Sequence, residues 1–349
     1  MAKLTISDIA EMAQVSKTTV SFVINGRDGI SEETRNRVLS VIKQTNYTPN
    51  VHTRRLTLKK SFTIYVVMQQ QTTGLQNLFY MEITFGILRK SKEFGYSIVF
   101  ASVLDERDEE ILAEYIRNKD TDGIIFLQDA EPRILSIVEA AEIPCLVADS
   151  HMPDSVSYTQ IKVDYFSAAY MATRHLVEKG HEKIAFIGMG SKPDYYVNTF
   201  GGYKKALEEA NLIFLPDWIQ ADAGDEQSAY GCMESILRST DVPTAVFCAG
   251  DIFAIGAMKC VKENGLSVPG DISFVGLDDI AVSSYVDPPL TTMSINEDSM
   301  GEMAMQVIYD MINKKRHKKV NHTPCQIVER ASVRDLSGGE ASAKRVAEN

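Results

Sequence analysis

The chain has 349 residues, 44% hydrophobic and 24% charged, which is a globular composition and more chain than one ordinary domain uses. Its net charge of −11 is unevenly spread: the first 60 residues hold ten Lys or Arg against five acids, a net of +5, leaving −16 on the remainder. No apolar run reaches the roughly 18–20 residues that cross a bilayer; the five cysteines form no C-x-x-C pair, and the six histidines lack H-x-H or H-x-x-x-H spacing. These features argue against a membrane span, a disulfide frame and a metal site, and for a reducing, cytoplasmic setting with no cofactor. The opening Met1-Ala2-Lys3-Leu4 leads into a patterned helix rather than a secretory apolar region.

The first expected element is a short helix capped by Thr5 or Ser7, with Ile6, Ile9, Ala10 and Ala13 facing inward at helical spacing. Ser16 can cap a second helix whose buried stripe is Val15, Val20, Val23 and Ile24, leaving Lys17, Thr18 and Ser21 outside. Asn25-Gly26 closes that helix. Ser31 caps a third, with Val38, Val41 and Ile42 as its core face. Two short amphipathic helices joined by a tight polar turn, with a third packed across them, form a helix-turn-helix, and its basic charge points to double-stranded DNA. The same residues also fit a small solvated three-helix unit with no nucleic-acid role. Small polar side chains on the second helix allow close approach to base edges, and Lys17 can donate to guanine acceptors or to phosphate. Pro49 and Asn50 then open a hinge of about nine residues, too short to be a stable helix alone and expected to order only on DNA. A polar linker is the plainer description of this segment.

From Ser61 onward, apolar strand candidates alternate with amphipathic helices. The strands are FTIYVVM, YSIVFAS, GIIFL, IPCLVAD, KIAFIGM, PTAVFCAG and ISFVGLDD; the helices include Phe79–Phe94, Glu106–Asn118, Tyr165–Lys179, Gly202–Ala210 and Phe253–Asn264. This alternation predicts an α/β body of two doubly wound parallel sheets, hence two lobes with a cleft between them at the carboxyl ends of the strands.

The runs LTISDIAEMAQVSKTTVSFVING and YTPNVHTRRL resemble the DNA-binding head and hinge of the lactose-repressor (LacI/GalR) family. The likeness continues through HLVEKGHEKIAFI, GGYKKALEEANL, PTAVFCAGDIFAIGAM and GLDDIAVSSYVDPPLTTMSI, so that the body resembles a sugar-binding periplasmic protein. The resemblance implies a head over 1–49, a hinge over 50–60, an effector-binding and dimerisation body over 61–335, and a disordered polar tail over 336–349. The body's chain is expected to pass between lobes three times, with lobe 1 at about 62–161 and 292–320 and lobe 2 at about 162–291 and 321–335. Ser16, Lys17 and Thr18 match the family's base-reading positions, and Thr5, Thr19, Ser21 and Asn25 its phosphate contacts. Asn50, Arg55 and Leu56 belong to the hinge, where Leu56 matches a leucine that wedges into a minor-groove step of bent DNA. Phe22 replaces an Arg that reads guanine; a phenyl ring cannot make that bidentate contact, worth about 1–3 kcal/mol of discrimination, so the operator half-site is expected to differ from those of relatives. The tail shows no leucine heptads and so gives no support for a tetramer.

In the cleft, Asp149 and Asp278 match acids that accept hydrogen bonds from ligand hydroxyls. Thr199 stands where most relatives carry a clamping Arg, Gly250 where many carry Asn, and Glu226 where an aromatic ring often stacks on the ligand. Tyr195, Tyr196 and Asn198 adjoin Thr199 and can supply replacement contacts. Without the Arg, the amide and the ring, a common sugar is disfavoured, and the acids Asp149, Glu226 and Asp278 better suit an amine or another donor-rich ligand. Asp278 can instead cap the segment beginning at Asp279, and Asp149 can stay solvated at a strand end. The expected function is a non-enzymatic, homodimeric transcriptional regulator, a repressor on a palindromic operator under effector control. The alternative co-effector is a phosphorylated carrier protein. A solute-binding sensor is the rival class, which leaves the basic head unexplained. No G-x-x-x-x-G-K-[ST], G-x-G-x-x-G or G-x-S-x-G occurs to support an enzyme.

Overall fold

Thr5 opens the first helix, α1 (Ile6–Met12), by a reciprocal cap: its hydroxyl accepts from the Asp8 amide at 3.4 Å, while its own amide donates to the Asp8 carboxylate at 2.6 Å. Gln14, at φ +54, turns the chain toward α2 (Lys17–Ile24), whose first turn is capped by Ser16 Oγ accepting from the Thr19 amide at 3.0 Å. Ser31 does the same for α3 (Glu32–Thr45) through the Thr34 amide at 3.3 Å. Ile9, Ala10, Ala13, Val20, Val23 and Val38 form the core, with Ile6, Val15, Ile24, Val41 and Ile42 half-buried against it. The three expected inward faces therefore pack together. The structure, a computed structural model, describes residues 4–24, 28–45, 47, 60–69, 78–118 and 120–337. The chain divides at Phe62–Thr63 into two compact units, of which this helical head is the first.

The second unit contains two six-stranded sheets. The first sheet uses β1 (Thr63–Gln69), β2 (Ser97–Val103), β3 (Gly123–Leu127), β4 (Cys145–Ala148), β5 (Thr159–Val163) and β11 (Val320–Thr323), in the order β11-β5-β4-β3-β1-β2 and parallel throughout. The second uses β6 (Ile184–Ile187), β7 (Ile219–Gln220), β8 (Ala245–Cys248), β9 (Ser273–Asp278), β10 (Thr291–Ser294) and β12 (Gln326–Val328), in the order β12-β10-β9-β8-β6-β7, with only β12 antiparallel. In each sheet the first strand of the lobe is flanked on one side by the second and on the other by the third, so strand order reverses there and a crevice opens at the carboxyl ends.

Three segments join the lobes: Asp164 after β5, Ile295–Asn296 after β10, and Pro324–Cys325 after β11. Each lies a few residues beyond the expected position. β10 stays in the second sheet and β11 in the first because ladder bonds, rather than apolar content, hold these short polar strands. The helices α4 (Leu78–Phe94), α5 (Glu106–Arg117), α6 (Pro132–Ala140) and α11 (Glu297–Ile312) serve the first lobe; α7 (Tyr165–Glu178), α8 (Pro193–Glu209), α9 (Glu226–Leu237) and α10 (Asp251–Glu263) serve the second.

Three helix pairs pack at glycine. A Cβ on Gly86 or Gly301 would strike the backbone of the other helix in the α4–α11 pair; on Gly202 it would strike the Phe166 carbonyl of α7, and on Gly256 the Glu226 carbonyl of α9. Leu336, expected in the tail, is instead fastened to the body by its amide, which donates to the Lys179 carbonyl at 2.7 Å; the remaining tail from residue 338 lies outside the described residues.

Candidate functional site

In the head, Ser16, Lys17 and Thr18 are exposed on the first turn of α2, while Val20 and Val23 behind them are buried. Thr5 is exposed, and Thr19, Ser21 and Phe22 are half-buried. Asn25, Asn50, Arg55 and Leu56 lie outside the described residues. α2 thus offers a polar leading turn with one lysine, backed by the helical core.

The cleft of the body is built at strand ends. Asp149 follows β4 with φ +58 and is only 2% exposed. Tyr80 of α4 donates its hydroxyl to Oδ2 at 2.6 Å, and Tyr165 of α7 donates to Oδ1 at 2.7 Å. The first tyrosine comes from the same lobe and the second from the opposite one, so Asp149 ties the lobes together. His151 Nε2 lies 3.8 Å from Oδ2. Its loop is held by Asp129, which accepts from the His151 amide at 2.9 Å and the Ser150 hydroxyl at 2.6 Å. His151 and Tyr165 stack at 5.5 Å, Tyr165 meets Tyr195 edge-on at 4.7 Å, and Tyr195 donates to the Ala249 carbonyl at 3.1 Å.

Burial works to raise the Asp149 pKa, but His151 and the tyrosine hydrogen bonds outweigh it and hold the carboxyl below its ordinary value. His151 is pushed down by burial and more strongly up by Asp149, ending raised. Burial, then the Asp149 charge, drive the Tyr80 and Tyr165 phenols well above theirs, so both remain donors. The two carboxylate oxygens keep lone pairs for further donors.

Asp278 ends β9 with φ +120 and pairs in register with Ser294, the last residue of β10. Asp279, at φ +63, accepts from Arg330 at 2.6 Å. Non-glycine residues at positive φ on both sides of the cleft mark local strain of the kind that gathers at working sites. Asp251, the first residue of α10, is fully buried. It accepts from the Ile280 amide at 3.0 Å, the Ser283 hydroxyl at 2.5 Å and the Thr292 hydroxyl, so it anchors the turn that follows Asp278. Gly276 leaves room on β9 for that carboxylate. Burial raises Asp251 to about 7 against these three bonds. Asp278 is raised well above the carboxylate range by burial and by Asp251, Glu297 and Asp149. Lys192, just before α8, is a cation that acts on both Asp149 and Asp278; burial lowers its pKa and those acids partly restore it.

Residues 5–50 match the family model for bacterial regulatory proteins of the lacI family, and residues 173–333 match the periplasmic binding protein-like domain. Over 337 residues the chain is 32% identical to the HTH-type transcriptional repressor PurR of Histophilus somni (strain 129Pt), covering 95% of this chain and 99% of that protein. The chain belongs to the LacI family. A further LacI-family repressor, PurR of Salmonella paratyphi B, is 34% identical, with 95% and 97% covered. Among solved structures, the lac repressor dimer bound to operator and the anti-inducer ONPF superposes with a TM-score of 0.73 at 27% identity, covering 95% of this chain and all of the other. The CelR–cellobiose complex gives 0.69 at 26% identity, with 94% and 99% covered. The chain is a DNA-binding transcriptional regulator built as a helix-turn-helix head and a periplasmic-binding-protein-like body. Its named relatives are repressors, and no described helix is long and apolar enough to cross a membrane.

Within this LacI-family frame, the structure joins only some of the expected effector residues. Asp149, Asp278 and Tyr195 share one electrostatic neighbourhood. Asp149 does not stay solvated, and Asp278 does not cap the segment after it, because Asp251 takes the Ile280 amide. Thr199 is fully buried and donates back to the Tyr195 carbonyl at 2.9 Å, so its hydroxyl serves its own helix rather than the cleft. Tyr196 packs into an aromatic cluster with Phe186 and Phe200. Asn198 is exposed and its amide donates to the Asp194 carbonyl at 2.8 Å. Glu226 is exposed at the first turn of α9, with no described contact to Asp149 or Asp278. Gly250 caps α10 at φ +144 and brings only backbone, its added Cβ being obstructed by the Phe253 ring.

Tyr80, His151, Tyr165, Lys192, Asp251 and Glu297 complete the neighbourhood without having stood out in the sequence. Tyr165 opens the expected helix Tyr165–Lys179 and Asp251 lies inside PTAVFCAGDIFAIGAM. Burial of a charged residue was the missing signal.

Proposed function

We propose that this regulator is a homodimeric repressor that binds a palindromic operator through α2 and the hinge, and that a small molecule in the interlobe cleft sets its DNA affinity. The observation that carries the DNA part is the split of α2, with Ser16, Lys17 and Thr18 outward and Val20 and Val23 inward, on a head of net charge +5. That arrangement puts a lysine and small hydroxyls at the leading end of a helix narrow enough for the major groove. Leu56 and Arg55 then act in the minor groove, and two-fold symmetry of the protein demands two-fold symmetry of the site. The solved relatives bear on both halves: the lac repressor structure is a dimer on operator, and CelR is a complex with cellobiose.

For control, the bond between Asp149 and Tyr165 joins the lobes, so an effector that competes for Asp149 or adds to it has different affinity for the open and closed cleft. Only such a difference can shift DNA affinity. Selection of duplexes by the purified full chain tests this. Recovered sites should carry inverted half-sites, and affinity should fall by about a thousandfold or more from roughly 50 to 200 mM salt. The double variant Lys17→Ala, Leu56→Ala should lose sequence preference. Sites without two-fold symmetry, or unchanged binding by the double variant, would overturn the proposal.

A further inference from the structure

Glu297 opens α11 at the second crossing between the lobes, three positions beyond Ser294, the register partner of Asp278. It is 6% exposed, and its Oε1 has no hydrogen-bond partner. Its own backbone amide gives the carboxyl partial relief and works to lower its pKa. Among the described residues, the charged groups that act on it most are Asp251 and Asp279 from the second lobe and Glu82 from the first, and it in turn acts on Asp278. All are acidic.

Two of these acids are already answered: Asp279 by Arg330, and Asp251 by two hydroxyls and an amide. Among the described residues no ion pair reaches Asp278 or Glu297, and Lys192 divides its field among Asp149, Asp278 and Asp129. A buried carboxylate needs a donor or a cation, and carboxylates only accept. No described set of three His, Cys, Asp or Glu side chains is grouped to hold a metal ion.

Building on the effector reading above, we infer that the cleft takes an organic cation, an ammonium or guanidinium, with its charged nitrogen between Asp278 and Glu297. Without the ligand, a proton stands in for that charge: burial lifts Glu297 to about 8 and Asp278 well above its usual value. The cation displaces the proton, so binding releases protons and tightens as pH rises toward 8. A neutral sugar offers these two carboxyls hydroxyl donors but no charge to replace the proton.

The test is titration calorimetry and thermal shift on the full chain with agmatine, putrescine and arginine, against glucose, ribose and hypoxanthine. At least one cation should raise the melting temperature by several degrees at millimolar concentration. Its binding heat near pH 7 should differ between phosphate and Tris in the sense of proton release, and its affinity should rise about tenfold from pH 6.5 to 8.5. Glu297→Gln should reduce the proton release and weaken binding at least tenfold; Asp278→Asn provides the same reading if the first variant fails to fold. A shift with neutral compounds alone overturns the cation assignment and leaves effector control standing. No shift with any compound overturns both. Cation binding without proton release, and indifferent to both variants, also overturns it.

Discussion

Asp149 and Glu297 are both buried carboxyl groups near crossings between the lobes, yet they hold protons in opposite ways. Asp149 sits among two phenol donors and an imidazole, and its pKa falls; Glu297 sits among acids with one oxygen unmet, and its pKa rises to about 8. Burial is common to both, so the donor set decides the outcome. A buried acid with its donors in place holds the protein together, whereas one without them is open to something from outside.

The largest test concerns Asp251, which lies between these extremes with three donors and no cation. Asp251→Ala strands the Ile280 amide and the Ser283 and Thr292 hydroxyls and should destabilise the body by about 3–5 kcal/mol in urea unfolding. If the variant keeps wild-type stability, donors are not what stabilises a buried acid here.

A similar magnitude is expected from pH. Glu297 has a folded pKa above its unfolded one, so the stability it lends is full below about pH 4.5 and is lost as pH rises through about 8. That loss is on the order of 5 kcal/mol at about 1.4 kcal/mol per pKa unit. Asp149 works in reverse, contributing above its unfolded value and losing that contribution as the solution is acidified through its lowered folded value. Melting temperature against pH should therefore decline from pH 5 to 8.5, and Glu297→Gln should flatten the decline while leaving the acid side intact.

Tyr165→Phe removes one donor from Asp149 and should reduce stability by about 1–3 kcal/mol while raising the Asp149 pKa. An unchanged acid limb in this variant would show that His151 and Tyr80 suffice. The smallest effect belongs to the head: Ser16→Ala removes the cap of α2 and should cost about 1 kcal/mol, read by circular dichroism of the helical unit.

The head was legible in the sequence because its polar bonds are local. Thr5–Asp8, Ser16–Thr19 and Ser31–Thr34 each span three residues, and the inward faces repeat at helical spacing. The buried strands β3, β6 and β8 were equally plain as apolar runs. β5, β10 and β11 were not, since Thr159–Val163, Thr291–Ser294 and Val320–Thr323 mix polar and apolar residues and are held by their neighbours in the sheet. The cleft followed from the alternation of strands and helices, but of its side chains only Asp149, Asp278 and Tyr195 were pointed to, and those through resemblance. Its other members come together from positions as distant as Tyr80 and Asp149, or Asp251 and Thr292, which no local pattern relates. Thr199 was misjudged for the converse reason: a threonine inside a helix spends its hydroxyl on the turn before it.

The glycines at positions 86, 301, 202 and 256 have a mechanical consequence. Where two helices touch backbone to backbone, there is no layer of side chains between them to repack, so the small sliding steps by which many domains adjust are closed to these pairs. Such pairs act as fixed pieces within each lobe, while the lobes themselves are joined by the three segments at Asp164, Ile295–Asn296 and Pro324–Cys325.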